Sequence, residues 1–302
     1  MNTVSISRFT PSTMSAELLE RLFVVRHPIL EALMKHVKGL GQTPSPHHTL
    51  LVGPRGAGKT HLISLVYHRS KSLAETGNGK PLRIAWLPED PWTLVSYGRL
   101  LAAILERVVP NFDDLKSAES ELDAYIRHTS REDGPILVLA ENLDQILDAL
   151  GDSGQQKLRN LLQTEPGILV IASTTRLDNS LSSHAAPFFG FFDTIHLAPF
   201  SPEEARDMLA TLAREANNKE LAKRLSDNES LARIHTIAHL AGGQPRLWAL
   251  LGSALTVEDL HDLTTLLLNR FDDLTPYYQE QLARLSPMQR LIVAELASAD
   301  RP

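Results

Sequence analysis

The pattern of apolar positions changes twice along the chain of 302 residues. Residues 14–40 repeat apolar side chains at helical spacing, which predicts two helices followed by a connector. From Thr49 to about residue 199, short runs that are continuously apolar alternate with helical stretches. Strands that are apolar on both faces predict a parallel sheet covered by helices on both sides. Beyond Pro199 the spacing is helical almost throughout.

These changes predict an α/β fold class, with a parallel-sheet core followed by an all-helical lid domain. Within the core we expect helices over residues 93–108 and around 155–163, and a last strand at Ile195–Leu197. The lid begins at Ser201-Pro202, an N-cap followed by proline at the first helical position. The expected divisions are an N-terminal helical extension (1–46), the α/β core (47–199), the helical lid (200–285) and the start of a further helical segment (286–302).

Residues 53–60 carry the strongest chemical signal, because they fit the P-loop pattern G-x-x-x-x-G-K-[ST] between an apolar strand and a helix. The glycines let the backbone turn tightly around phosphates, and the helix start adds its positive end. Lys59 is predicted to reach the terminal phosphates, and the Thr60 hydroxyl to bind Mg²⁺. The absence of an N-K-x-D guanine motif favours ATP over GTP. The predicted nucleotide-binding residues are Gly53, Pro54, Arg55, Gly56, Ala57, Gly58, Lys59, Thr60 and His61.

A P-loop enzyme also needs an acid at the end of a neighbouring strand to hold Mg²⁺. The apolar run Ile136–Ala140 is followed by Glu141, Asn142 and, two residues later, Asp144. The alternative is a strand end with ordinary polar residues that cap the next helix. Because the P-loop lies upstream, we interpret this segment as the acidic part of the same site.

Together these motifs resemble the P-loop NTPase core of the AAA+ ATPases, especially their origin-recognition/initiator and archaeal-type branch with its signal-transduction relatives, over about residues 15–285. In that family the acidic strand ends in Asp-Glu. The resemblance implies that Glu141 binds the metal, Asn142 stands where the family has its catalytic Glu, and Asp144 is a trailing acid. A register shifted by one residue would instead make Glu141 the catalytic acid and leave Ala140 at the metal position; the first register fits the pattern better.

The same resemblance implies four further site residues. Thr175 follows the apolar run Ile168–Ser173 and matches the polar sensor-1 residue, and Arg246, at the start of a lid helix, matches the sensor-2 arginine that reaches the γ-phosphate. Val25 and Arg26 match the N-terminal box beside the adenine. The structural alternatives are a capping Thr, an exposed Arg at a helix start and ordinary helix packing.

Two departures from the family pattern predict slow catalysis. An Asn at position 142 can orient a water molecule but cannot accept its proton. Most AAA+ proteins carry an arginine finger before the last strand, yet no Arg or Lys lies between Arg176 and Arg206. Arg159 or a partner protein could supply the missing charge. We therefore expect a slow, switch-like ATPase.

Composition limits the other functional classes. The net charge of −6 does not favour a nucleic-acid binder. The absence of cysteine excludes disulfides and thiolate chemistry. No secretory signal or long apolar run is apparent, so we expect a cytoplasmic protein without membrane contact. His47 and His48 precede a strand, and we expect them to be solvated rather than metal ligands.

The last segment, residues 286–302, does not determine whether the partner is DNA or a protein. Ser286-Pro287 starts a helix that resembles the first helix of a winged-helix domain, so we expect a fragment whose DNA contact, if any, lies in a missing C-terminal segment. The alternative is a last lid helix. Overall we expect an ATP- and Mg²⁺-dependent switch that controls homo-oligomer assembly or engagement of a protein or DNA partner, in DNA transactions or antiviral defence. The rivals are an ATP-binding scaffold without hydrolysis and an oligomeric DNA-remodelling ATPase.

Overall fold

The computed structural model describes residues 11–76, 80–87, 94–112, 118–177, 181, 183–241, 243–266, 279, 282–283 and 285–298. Contacts within the chain divide it into two compact units. The first unit extends to Phe200 and also includes Gln244–Arg246. The second unit consists of Ser201–Gly243 and the residues from Leu247 onward.

The first unit contains a parallel sheet flanked by helices. Its strands are β1 (Thr49–Val52), β2 (Arg83–Trp86), β3 (Ile136–Ala140), β4 (Ile168–Thr174) and β5 (Asp193–His196). Its described helices are α1 (Ala16–Leu22), α2 (His27–Gly39), α3 (Lys59–Thr76), α4 (Tyr97–Val108), α5 (Glu119–His128) and α6 (Leu143–Thr164), and a π-helical turn follows α5 at Thr129–Asp133.

The described strands pair in the order β2-β3-β4-β1-β5, and every pairing is parallel. All residues of β1, β3 and β4 are buried, as expected for strands covered on both faces. This confirms the predicted α/β class. Because β1 and β3 both lie beside β4, their carboxyl ends share one edge of the sheet, and the predicted site residues follow those ends.

Two hydrophobic clusters hold the sheet between helices. Alternate residues of β1 face opposite sides: Leu50 belongs to the cluster formed with α4 and α6, whereas Leu51 belongs to the cluster formed with α1, α2 and α3. Leu30 and Leu33 of α2 are fully buried in the second cluster. The N-terminal helices therefore contribute to the core of this unit.

Three predicted boundaries were wrong. The helix expected around residues 155–163 is the second half of α6, which begins at Leu143; Gly151 interrupts its helical backbone with φ 59°. Helix α4 begins at Tyr97, because Ser96 caps it by accepting a hydrogen bond from the Arg99 N–H at 3.3 Å. The last strand begins two residues earlier than predicted, at Asp193.

The second unit is helical, as the spacing of apolar residues predicts. Its described α-helices are α7 (Pro202–Glu215), α8 (Lys219–Arg224), α9 (Asn228–Ala241), α10 (Pro245–Ala254, whose first two residues group with the first unit) and α11 (Pro287–Ser298). Ser201 caps α7 through a reciprocal capping box with Glu204. None of the helices in the described residues combines the length and the apolar character that crossing a membrane requires. Residues 271–278, which precede the predicted winged-helix segment, lie outside the described residues.

Candidate nucleotide-binding site

The P-loop connects the buried strand β1 to helix α3 at the carboxyl edge of the sheet. The Gly53 N–H donates to the Thr174 carbonyl at 3.3 Å, which ties the start of the loop to the end of β4. Gly56 and Gly58 have φ values of 80° and 88°, in the region that favours glycine. A Cβ at Gly56 would lie only 2.8 Å from the Cβ of Arg246, so this position has no room for a side chain.

Lys59, the first residue of α3, is buried against the loop that it follows. Its Nζ donates hydrogen bonds to the carbonyl oxygens of Gly53 at 2.6 Å and Pro54 at 3.0 Å. Burial lowers the pKa of Lys59 from its ordinary 10.5 to about 8, although the nearby carboxylates of Glu141 and Asp144 oppose that shift. A buried ammonium group held by loop carbonyls is ready to exchange them for phosphate oxygens.

The acidic residues after β3 lie against the same loop. The Thr60 hydroxyl donates a short hydrogen bond to Oε2 of Glu141, which is itself buried. Oδ1 of Asp144 is buried and has no hydrogen-bond partner in the described part of the chain. These oxygens are the ligands that Mg²⁺ prefers, either directly or through bound water. The residues present therefore fit an ATP–Mg²⁺ group, and the Thr60–Glu141 contact favours Glu141 as the metal-side acid.

Asn142 joins β3 to α6 in an unusual conformation. Its φ of 51° and ψ of 50° lie in the left-handed region, which Asn tolerates better than most residues. It is the N-cap residue of α6, and its side chain is half-buried. The helix predicted to begin well after the acidic motif in fact begins directly after Asn142, so this residue lies between the metal-side acid and Asp144.

No family model matches the chain, but its sequence is similar to that of a characterised protein. The Holliday junction branch migration complex subunit RuvB of Clavibacter michiganensis is 29% identical over 243 residues. The match covers 76% of this chain but spans only 60% of the length of RuvB.

The solved structures most useful for comparison share this architecture. The Aeropyrum pernix ORC1 protein, solved in complex with DNA, matches 93% of this chain and 76% of its own with a TM-score of 0.56 at 15% identity. Drosophila ORC, solved bound to DNA, matches 88% of this chain and 70% of its own with a TM-score of 0.57 at 18% identity. The chain has the fold of the AAA+ ATPases.

Two residues that the family resemblance assigns as sensors, Thr175 and Arg246, lie beside the P-loop. β4 pairs with β1 so that Thr174 is opposite Val52, and Thr175 follows at the edge where the loop starts. Thr175 is half-buried, whereas the neighbouring Thr174 is fully buried and donates to the Arg176 carbonyl at 2.9 Å. The Arg246 N–H donates to the Gly56 carbonyl at 3.2 Å. Contact of Thr175 or Arg246 with a γ-phosphate stays a prediction.

Arg26, which the family resemblance assigns to the N-terminal box, connects the P-loop to the segment after β5. Its guanidinium donates a short hydrogen bond to the Ala57 carbonyl and a second, of 2.6 Å, to the Ala198 carbonyl. The same group lies 5.1 Å from the centre of the Phe200 ring, which is cation–π geometry. Neither Ala198 nor Phe200 was predicted, since no sequence spacing links residues so far apart.

We expect Arg26→Ala and Arg26→Lys to weaken ATP binding by roughly 10-fold, because loss of one charge-assisted hydrogen bond costs about 1.5 kcal/mol. A lysine keeps the charge but cannot donate to two carbonyls in the fork geometry of arginine. Calorimetric titration with ATP measures the effect. If Arg26→Lys binds ATP like the parent while Arg26→Ala does not, the charge and not the bridge to Ala198 matters.

Two other predicted residues, His61 and Arg159, have partners that bear on their roles. His61 Nε2–H donates to the Leu19 carbonyl at 2.9 Å, so its side chain is engaged by α1 and only its backbone is available to phosphate. Val25 is half-buried, and its contact with adenine is untested. Arg159, considered as a replacement arginine finger, donates to the Pro187 carbonyl and lies 5.6 Å from the Phe191 ring centre.

Proposed function

We propose that the chain is an ATP- and Mg²⁺-dependent ATPase of the AAA+ class that acts as a slow nucleotide switch. The proposal rests above all on the grouping of Lys59, Thr60 and Glu141 at the P-loop, with the unpartnered carboxylate oxygen of Asp144 buried nearby. The buried lysine and the nearby acids offset part of one another's charge, and a triphosphate with its metal ion would use all of them.

Each residue has a role in holding the substrate. Lys59 would exchange its bonds to the Gly53 and Pro54 carbonyls for bonds to phosphate oxygens of ATP. Thr60 and Glu141 would hold Mg²⁺, which when bound neutralises charge on the phosphates. Thr175 and Arg246, both beside the loop, would orient water or contact the terminal phosphate, as the family resemblance implies.

The slow rate follows from the residue at position 142. A general base is worth about 10²–10⁴-fold in rate, and the amide of Asn142 cannot provide it. Arg159 donates to the Pro187 carbonyl, and a role as a substitute finger would require it to exchange that bond for a phosphate contact. A switch that hydrolyses ATP slowly keeps its bound state long enough to control assembly or a partner.

A DNA-remodelling ATPase is the second candidate, favoured by the likeness to RuvB and to two proteins solved with DNA. The net charge of −6 weighs against a strong DNA contact by this chain alone. The two candidates differ in a simple way. DNA accelerates phosphate release in a remodelling ATPase and leaves it unchanged in a switch that engages a protein.

Replacing the Thr60 hydroxyl tests the proposed metal site directly. We expect Thr60→Val to lower Mg²⁺-dependent phosphate release by roughly 10- to 100-fold, because a hydrogen bond or ligand to a charged group contributes about 1.5–3 kcal/mol. Binding of ATP without Mg²⁺ should change little, since Val has the same shape. Single-turnover phosphate release with and without Mg²⁺ measures both.

Ser64→Ala is the matched control for Thr60→Val. Ser64 lies one turn further along α3, and its hydroxyl donates to the Thr60 carbonyl at 2.7 Å within the helix. The Ser64→Ala variant should therefore turn over ATP at the same rate as the parent. Equal rates for Thr60→Val and the parent would refute the proposed metal site, and no phosphate release from any of the three would favour the ATP-binding scaffold.

A further inference from the structure

A second group of metal-ligating side chains lies at the amino-terminal edge of the sheet, at the opposite ends of the strands from the P-loop. We propose that His36, His47 and Asp193 form a Zn²⁺-binding site. One ligand atom from each of these residues lies within 4.8 Å of the others. The proposal is independent of the nucleotide site, which neither shares a residue with it nor lies on the same edge.

The three side chains come from separate parts of the chain. His36 lies on α2, His47 in the connector before β1, and Asp193 is the first residue of β5. The two imidazole rings stack with centroids 5.0 Å apart and an angle of 22° between their planes. His47 Nδ1 lies 3.0 Å from Asp193 Oδ2. The sequence prediction that His47 is solvated is correct for its exposure, but it overlooked these two neighbours.

The adjacent His48 shows why these residues are distinct. It was expected to be solvated, and that prediction was wrong: His48 is buried, and its Nδ1 accepts a hydrogen bond from the Val170 N–H at 3.1 Å. Burial lowers the pKa of His48 to about 4, so it is a neutral structural residue. His36 and His47, by contrast, project toward a carboxylate at the surface.

The hydroxyl of Thr49 determines which nitrogen of His36 is free to bind metal. Thr49 Oγ1 donates its single hydrogen to the His47 carbonyl at 3.0 Å, and it also lies 3.1 Å from His36 Nδ1. Because that hydrogen is already used, the hydroxyl oxygen must accept from Nδ1–H of His36. The lone pair then resides on Nε2, and an Nδ1–H held by an oxygen is the outer-shell arrangement typical of a metal-binding histidine.

The chemistry of the set favours zinc over the hard cations. Two imidazoles with one carboxylate and a water molecule complete the four-coordinate geometry that Zn²⁺ adopts, whereas Mg²⁺ prefers oxygen ligands throughout. Because the two rings are nearly parallel, the His47 ring must rotate before both imidazoles can direct a nitrogen at the same ion. The exposed position of His47 allows this rotation.

A metal ion at this site would fasten the N-terminal helix pair to the last strand. Without metal, the His47–Asp193 pair contributes little to stability, because both side chains are exposed to solvent. Most of the first unit lies in the sequence between positions 36 and 193. A metal ion bound by both residues would therefore close a long loop of the chain. At a Zn²⁺ concentration 100 times Kd, we expect Tm to rise by roughly 5–10 °C.

Titration of Zn²⁺ into chelator-treated full chain tests the site. We expect one Zn²⁺ per chain with micromolar or tighter affinity, and Co²⁺ in its place should show the strong visible absorption of tetrahedral coordination. His47→Gln and Asp193→Asn should each weaken Zn²⁺ binding at least ~10-fold. Loss of a residue that only orients a metal ligand already costs about that much, and these two residues are proposed as ligands themselves. Both side chains are exposed, so these variants keep the fold. His36→Gln should weaken binding as well.

His235→Gln is the matched control, because His235 and Glu203 form an exposed pair at 3.1 Å and are not part of the three-residue group. It should bind Zn²⁺ like the parent. Zn²⁺ affinity that is millimolar, unchanged in His47→Gln and Asp193→Asn, or lost in His235→Gln would overturn the proposal. A large excess of Mg²⁺ should not displace Zn²⁺, and displacement would also contradict it.

Discussion

Replacing Lys59 by alanine is expected to weaken ATP binding about 100-fold and to reduce ATP turnover to background. The Lys59 ammonium is buried and donates to two carbonyls of the P-loop, so its release to phosphate costs little reorganisation of the side chain. A charge-assisted contact of this kind contributes up to about 3 kcal/mol, which corresponds to a factor of about 100 in affinity. Calorimetric titration with ATP and a phosphate-release assay measure the two effects.

The loss should not come from unfolding, and Lys59→Met tests this point because it keeps the shape of the side chain. The pKa of Lys59 is about 8 in the folded chain, below its ordinary 10.5, so between these pH values the unfolded chain binds more protons. Stability therefore rises with pH across this window, and at pH 7 the buried charge costs about 3 kcal/mol.

We accordingly expect the nucleotide-free Lys59→Met protein to be more stable than the parent at pH 7, with the difference disappearing above about pH 10. Chemical denaturation at several pH values measures it. A variant that binds no ATP and is also less stable would show that Lys59 is a structural residue. ATP bound with parental affinity by either variant would exclude Lys59 from the site.

Much of the nucleotide site could be predicted because its motif combines chemistry with local structure. The pattern from Gly53 to Thr60 specifies a strand, a glycine turn and a helix at once, and Glu141 follows the neighbouring apolar strand. Parallel strands place their carboxyl ends at one edge, so sequence order alone brings these residues together. The Thr60–Glu141 hydrogen bond is the result of that topology.

The parts that escaped prediction depend on contacts between distant segments. Arg26 and Ala198 are far apart in the sequence, yet the Arg26 guanidinium donates to the Ala198 carbonyl. His36 and Asp193 are also far apart in the sequence and lie close together in the fold. Nothing in the spacing of either pair distinguishes them from other surface residues. The start of α6 was missed for another reason: Asn142 occupies its N-cap position in a left-handed conformation and without a side-chain capping hydrogen bond, which sequence periodicity does not reveal.

Asn142→Glu is expected to raise ATP turnover by roughly 100-fold, the lower limit of what a positioned general base contributes. Asn142 follows Glu141 directly, and the Thr60 hydroxyl already engages the Glu141 carboxylate on the metal side. A carboxylate at position 142 could then accept the proton of the attacking water, which the amide cannot. Steady-state phosphate release under saturating ATP and Mg²⁺ measures the gain, and ATP affinity should change little.

Asn142→Gln distinguishes the effect of a general base at position 142 from the effect of strain in the left-handed backbone there. Any residue other than Gly or Asn at φ 51° costs about 1–2 kcal/mol, and Gln pays that cost with the length of Glu but without its carboxylate. Both variants should therefore lose the same stability, while only Asn142→Glu gains turnover. Brisk turnover in the parent that Asn142→Glu leaves unchanged or lowers would instead assign the catalytic carboxylate to Glu141, and would place the acidic motif in the register shifted by one residue. Equal gains in both variants would mean that relaxation of the N-cap of α6, rather than proton transfer, limits the rate.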